Sequence, residues 1–291
     1  MITYAGYKLV QFFSALTPPA LAYPLCALAG SVWFRCAPRR RTAVINNEMR
    51  ILAHGPGGVP SAGLARHAAR EVFVNFCRYL YEFFRFQGLS ERWVSENVDI
   101  IGLEYLRDAL RARGGAIALT IHLGNWELGA RVTALSGFPV SAVALEDRGR
   151  RAAKLFFRER EKCGIRVFGV GNAVKEVLRA LARNEVVALL ADFDPTDKGV
   201  AVNFFGKPVV FSRGPFAIAA KAHAPIVPCA MVRSGAKKFQ LIFDAPVLME
   251  EGKRTEEEII ERMERFISAY PSQWCIFRDV WNTSERPGTG A

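Results

Sequence analysis

From Ala116 onward, short apolar runs alternate with stretches of helical periodicity, and this alternation constrains the fold of the chain more than any other feature. The runs Ala116–Ile121, Val140–Leu145, Ile165–Val170, Val186–Ala191, Ile226–Val232 and Phe239–Phe243 have the length and β-branched content of strands. Helical stretches at Trp126–Ser136, Arg150–Cys163, Ala173–Arg183 and Gly214–His223 separate several of them. Strand–helix alternation of this kind predicts an α/β fold around a largely parallel sheet flanked by helices. A T-x-x-E capping box at Thr255 and Glu258 opens a last helix bearing Ile259, Ile260, Met263, Phe266 and Ile267. The tail beyond Asn282 is polar and rich in Gly and Pro, a composition that frays.

The first forty residues are of another kind. Leu9 to Ala37 is mostly apolar, with Arg35 its one charge, and is long enough to reach across or into a bilayer. Pro18, Pro19 and Pro24 interrupt it, which predicts two shorter helical pieces or one kinked helix. Arg39, Arg40 and Arg41 follow at once and favour a cytoplasmic body. Residues 1–41 are therefore expected to form a membrane anchor and residues 42–291 the catalytic domain. A buried helical hairpin would show the same pattern. Residues 55–63 are a Gly/Pro loop, and Ser61 caps a helix expected to run to about Gln87. That helix carries Phe73, Phe76, Tyr79, Leu80, Phe83 and Phe84 at core spacing.

With 39 Lys and Arg against 28 Asp and Glu, the net charge is +11, which suits anionic partners such as lipid headgroups, nucleic acid or an acidic carrier. Six scattered cysteines, none in C-x-x-C spacing, predict neither disulfides nor a structural metal. No serine lies in a G-x-S-x-G elbow, which disfavours a serine esterase. Gly199 and Gly206-Lys207 lack P-loop spacing, and Val174 stands where a dinucleotide fold would place its third glycine after Gly169 and Gly171.

The segment Ile121-His122-Leu123-Gly124-Asn125-Trp126-Glu127 carries the strongest chemistry. A strand ends at His122, Asn125 is suited to cap the next helix, and Glu127 falls in its first turn. On one continuous helix, His122 and Glu127 would diverge by about 140°, whereas an intervening turn lets them converge. A carboxylate on one ring nitrogen orients an imidazole, and the other nitrogen can then take a proton from a hydroxyl. The same residues also suit a satisfied buried histidine and an acid favoured at a helix N-terminus, and spacing leaves both readings open. Asp192, Asp194 and Asp197 follow another strand and read either as pocket carboxylates or as turn formers. Arg148, Arg150, Arg151, Lys154, Arg158 and Arg160 read as phosphate-facing or as a solvated helix face.

Taken in order, these pieces resemble the bacterial lipid A late acyltransferases and their relatives that acylate phosphatidylinositol mannosides. His122-Leu123-Gly124-Asn125-Trp126-Glu127 looks like the family's H-x4-D/E motif. Arg160 before Gly164 looks like its R-x3-G arginine, and Ala191-Asp192 like its acidic strand end. Gly199 to Gly206 looks like its G-V-x-V-x-F-F-G block, and Gly214 like the glycine that opens its next helix. Pro225-Ile226-Val227-Pro228 and Pro271-Ser272-Gln273-Trp274 look like its P-[IV]-x-P and P-x-Q-W elements.

The resemblance implies a glycerolphosphate acyltransferase-like mixed sheet flanked by helices, with an N-terminal membrane-associated helix. It implies O-acyl transfer at the cytoplasmic face of the inner membrane. The donor would be an acyl-carrier protein or coenzyme A thioester, and the acceptor a lipid A-type precursor or another glycolipid or phospholipid. No bound cofactor, metal or nucleic acid is implied. His122 would be the general base and Glu127 the group that polarises its ring. Arg160 would meet a phosphate, and Asp192, Asn125 and Gly206 would contribute to substrate binding. Glu146-Asp147-Arg148 replaces an Arg-Pro common in the lipid A enzymes, which opens the acceptor to other glycolipids or aminolipids. The competing functions are an acyl hydrolase using the same dyad and a non-catalytic basic membrane-binding protein.

Overall fold

The computed structural model describes residues 4–54, 60–111, 114–144, 150–169, 173–192, 199–234, 238–249 and 255–282. Part of the Gly/Pro loop, Glu146 to Gly149, Gly171, Asp194, Asp197 and the polar tail lie outside these residues.

Four helices come first: α1 Tyr4–Leu16, α2 Pro19–Cys36, α3 Pro38–His54 and α4 Ala62–Arg85. The apolar N-terminal run thus divides at Thr17 and Pro18, while Pro24 is accommodated inside α2. Helix α4 is the axis of this layer. Ser61 caps it by accepting from Leu64 N–H at 3.2 Å. Its aromatic stripe is buried against α1–α3 on one side and the body on the other. Tyr81 Oη donates to the Thr17 carbonyl at 2.8 Å and the Arg85 guanidinium to the Ala15 carbonyl at 2.9 Å, which fastens the α1–α2 hairpin to α4.

No single described helix is long and apolar enough to cross a membrane; α2 and α3 pass that test only as a pair, bent by 102°. The hairpin instead shows an apolar outer face. Leu9, Phe12 and Leu16 of α1 and Leu21, Leu25, Leu28 and Val32 of α2 recur at helical spacing and are all exposed, Leu9 at 68%.

The body follows as α5 Glu91–Asn97, β1 Val98–Ile101, α6 Leu103–Arg111, β2 Ala116–Thr120, α7 Trp126–Leu135, β3 Val140–Ala144, α8 Arg150–Lys162 and β4 Arg166–Gly169. It continues through α9 Ala173–Ala182, β5 Val186–Leu190, β6 Val200–Phe204, β7 Lys207–Phe211, α10 Gly214–Ala222, β8 Ile226–Arg233, β9 Phe239–Phe243 and α11 Thr255–Ala269. Seven strands form one sheet in the order β1-β9-β8-β2-β5-β3-β4, and only the β8–β9 pair is antiparallel. All of β2 and nearly all of β8 are buried, which is why these strands read as unbroken apolar runs rather than as alternation.

The expected strands and helices occur within a residue or two of their anticipated ends. The capping pair falls inside α11, where Thr255 is already helical. Strand β1, four residues interrupted by Asp99, and the β6–β7 hairpin escaped the strand pattern. That hairpin turns through Phe205 and Gly206, both at positive φ (48° and 73°), the geometry of a type I′ turn.

Candidate active site

Strand β2 ends at Thr120, and the chain then makes a tight reversal. Leu123 N–H donates to the Ile121 carbonyl at 2.7 Å, so His122 occupies the centre of a γ-turn. Gly124 follows at φ +64°, and a Cβ there would lie 2.0 Å from the Met231 carbonyl oxygen, so only glycine lets the turn rest on β8. Asn125 then caps α7, accepting from Leu128 N–H at 3.0 Å.

The carboxylate on the His122 ring is Asp192. In the β2–β5 register Thr120 faces Leu190, and two more residues on each strand bring His122 opposite Asp192. His122 Nδ1 lies 2.8 Å from Asp192 Oδ1. The backbone N–H of His122 donates to Oδ2 at 2.8 Å, and the Trp274 indole N–H donates to the same oxygen at 2.9 Å. Burial pushes the Asp192 carboxyl up, but the charge of His122 and these hydrogen bonds outweigh it and hold the carboxyl below its ordinary value. An ionised carboxylate only accepts, so Nδ1 carries a proton, and in the neutral form of the ring the lone pair falls on Nε2. The His122 side chain is 21% exposed while that of Asp192 is fully enclosed.

Glu127 does not reach the ring. Its carboxylate takes a bidentate pair from Arg160 on α8, with Nε to Oε2 at 2.8 Å and Nη2 to Oε1 at 2.5 Å. The turn spends its reversal on Gly124 and Asn125, and Glu127 emerges on the α7 face toward α8. The arrangement the resemblance implied, with Glu127 on His122 and Arg160 on a phosphate, gives way in the structure to a Glu127–Arg160 pair beside a His122–Asp192 pair.

Asn125, expected to touch substrate, has both ends of its side chain engaged inside the protein. Its oxygen caps α7 and its Nδ2 donates to Glu82 Oε2 at 2.8 Å. Gly206 serves the β6–β7 turn and lies against His54. The structure adds residues to which the sequence pattern assigned no role. Glu82, fully buried on α4, also receives Arg233 from β8 and, at 3.2 Å, the Tyr23 hydroxyl from α2. A lone acid inside the aromatic run Tyr79 to Phe84 was the signal for it. Trp274 was visible only as part of a motif.

Trp126 stands edge-on to His122, with ring centroids 4.9 Å apart, and stacks on Tyr79 at 4.3 Å. It also lines a small apolar pocket of about 30 Å³ between α7 and the sheet, bounded by Ala118, Gly129, Ala130, Ala188 and Met231 among others. No group of three or more His, Cys, Asp or Glu among the described residues is placed to hold a metal ion. The six cysteines are free thiols.

A histidine at a strand end, part-exposed and held at Nδ1 by a buried carboxylate, is an arrangement suited to acid–base chemistry on an α/β scaffold. The chain matches the bacterial lipid A biosynthesis acyltransferase family over residues 1–283. It belongs to that family and is an acyltransferase. Among its relatives, the phosphatidylinositol mannoside acyltransferase of Mycolicibacterium smegmatis (strain ATCC 700084 / mc(2)155) is 24% identical over 240 residues, 81% of this chain and 77% of the relative. The protein of the same name from Mycobacterium tuberculosis (strain CDC 1551 / Oshkosh) is 27% identical over 231 residues, 77% of this chain and 73% of the relative.

Proposed function

We propose that the protein transfers a fatty-acyl chain from an acyl-carrier protein or coenzyme A thioester to a hydroxyl of a membrane glycolipid, of which a mannosylated phosphatidylinositol is the model. The observation that carries this reading is the His122–Asp192 pair, which leaves Nε2 directed away from its carboxylate. The acceptor hydroxyl gives its proton to Nε2 as its oxygen bonds to the thioester carbonyl carbon. The tetrahedral adduct then collapses, the carbon–sulfur bond breaks, and the imidazolium returns the proton to the leaving sulfur. No acyl-enzyme forms, because the thioester arrives activated.

The same reading puts the enzyme on the cytoplasmic face of the inner membrane, docked through the outer face of α1 and α2. That face combines seven exposed apolar side chains with Arg35, Arg39 and Arg40, also exposed, at its α2–α3 end. Apolar burial with flanking cations suits an anionic lipid surface. Because α1–α2 is fastened to α4, deletion would damage the fold, and surface substitution is the sound test. Leu9→Ser, Phe12→Ser and Leu25→Ser together should abolish flotation with anionic vesicles while the melting temperature holds. Equal flotation of this variant and the unaltered protein would remove the docking face.

The activity test uses radiolabelled acyl-carrier protein or acyl-coenzyme A with mannosylated phosphatidylinositol and total membrane lipids, beside His122→Ala. Label in a lipid product that requires His122 is the expected result. Label released only as free fatty acid would identify a hydrolase instead. Absence of His122-dependent turnover with either donor would count against the assignment.

A further inference from the structure

The 3-10 turn Pro271–Gln273 and the residues after it run along the His122 turn. Gly124 N–H donates to the Gln273 carbonyl at 2.9 Å, Cys275 N–H to the His122 carbonyl at 2.7 Å, and Leu123 bridges to Trp274. The Gln273 side chain ties this segment to β8 by exchanging two hydrogen bonds, each 2.8 Å, with the Arg233 backbone. The Trp274 indole is therefore held in fixed relation to the turn that carries His122.

Its ring packs edge-on to Phe204 at 5.7 Å and Trp281 at 6.2 Å, contacts that a phenyl ring would also make. The indole N–H is different. Trp274 is 2% exposed, and its Nε1 lies 2.9 Å from Asp192 Oδ2. The terminal torsion of an aspartate is soft, so a carboxylate held by few donors rotates readily. Here Oδ2 takes the indole and one backbone N–H, and Oδ1 faces the imidazole. We propose that Trp274 is a positioning residue of the active site, whose indole N–H locks the Asp192 carboxylate on His122 Nδ1. The inference rests on the reading of His122 as the general base and extends the site to the C-terminal segment.

Trp274→Phe removes the donor and keeps an aromatic ring. Trp281→Phe is the control, because its Nε1 donates to the Phe204 carbonyl and does not touch Asp192. The first readout is the 15N titration of the His122 ring, assigned against His122→Gln, which needs no turnover. A carboxylate relieved of one donor attracts the imidazolium proton more strongly, so the midpoint should move to higher pH in Trp274→Phe and stay put in Trp281→Phe. In the acyl-transfer assay, kcat should fall by about tenfold or more with KM changed less than about twofold, as expected for losing a hydrogen bond to a charged group. If Trp274→Phe fails to fold, β-(3-benzothienyl)alanine at 274, which keeps the shape and lacks the N–H, should give the same shift. An unmoved titration, with losses that track melting temperature as in Trp281→Phe, would overturn the proposal. A shifted titration in a protein whose His122 supports no acyl transfer would leave the Trp274–Asp192–His122 coupling standing and sink the proposed function.

Discussion

Asp192 and Glu127 are both buried acids near one histidine, yet they are held in opposite ways. Asp192 is surrounded by neutral N–H donors and the imidazole, and its charge acts on that ring. Glu127 faces a guanidinium, and each ion cancels the other. A carboxylate whose one strong partner is a titratable ring can modulate that ring, whereas one neutralised by arginine serves the packing of α7 on α8. Nearness along the chain, five residues for Glu127 and seventy for Asp192, gives the wrong ranking of the two.

The largest expected effect breaks the Asp192 side of this contrast. Asp192→Asn should lower kcat by about a thousandfold, because an amide can present its N–H to Nδ1 and leave the ring in the unproductive tautomer. Activity within tenfold of the unaltered enzyme would remove Asp192 from the mechanism. Glu127→Ala should act first on stability, at a cost of about 3 kcal/mol by urea denaturation, since it strands a buried Arg160. Adding Arg160→Met should recover most of that cost. A Glu127→Ala enzyme of full stability but with the kinetic loss of Asp192→Asn would put Glu127 on the ring during turnover and reverse the contrast.

Glu48 sharpens the comparison, as a buried acid to which the structure offers little. On α3 and 1% exposed, its Oε2 has no hydrogen-bond partner among the described residues, and burial pushes its carboxyl up to about 8. The folded state then keeps a proton that the unfolded chain releases above its ordinary value. Stability that is complete at acid pH is therefore lost as pH rises toward 8. Glu48→Gln should remove about 2 kcal/mol of pH-dependent loss between pH 5 and 7. Parallel stability–pH curves for the two proteins would show Glu48 to be solvated or paired. The smallest effect belongs to Glu82, whose hydrogen bond from Tyr23 joins α2 to the active-site layer. Tyr23→Phe should cost about 1 kcal/mol in thermal unfolding, and no cost at all would make that link incidental.

Local patterns made much of this molecule legible. The strands β2, β3, β5, β8 and β9 and the helices between them follow from apolar periodicity, because buried parallel strands and amphipathic helices each write their environment into residue order. Ser61 and Asn125 announced their helices, since a cap is a contact between residues three apart. His122 stood out for the same reason, as a strand end next to a cap. The exposed apolar stripes of α1 and α2 were present in the sequence as one apolar run, and only the packing of the hairpin on α4 decided which side faces outward.

What tertiary structure alone decided is the pairing of charges. Strand β5 lies next to β2 although β3 and β4 intervene in sequence, so Asp192 meets His122 through sheet order. Arg160 meets Glu127 because α8 packs near α7, and Trp274 reaches Asp192 because the C-terminal segment returns along the His122 turn. The sequence by itself determined which elements form and which histidine stands at a strand end, because those depend on neighbours within a few residues. Which carboxylate orients that histidine depends on contacts across seventy and more residues, which periodicity and caps do not encode.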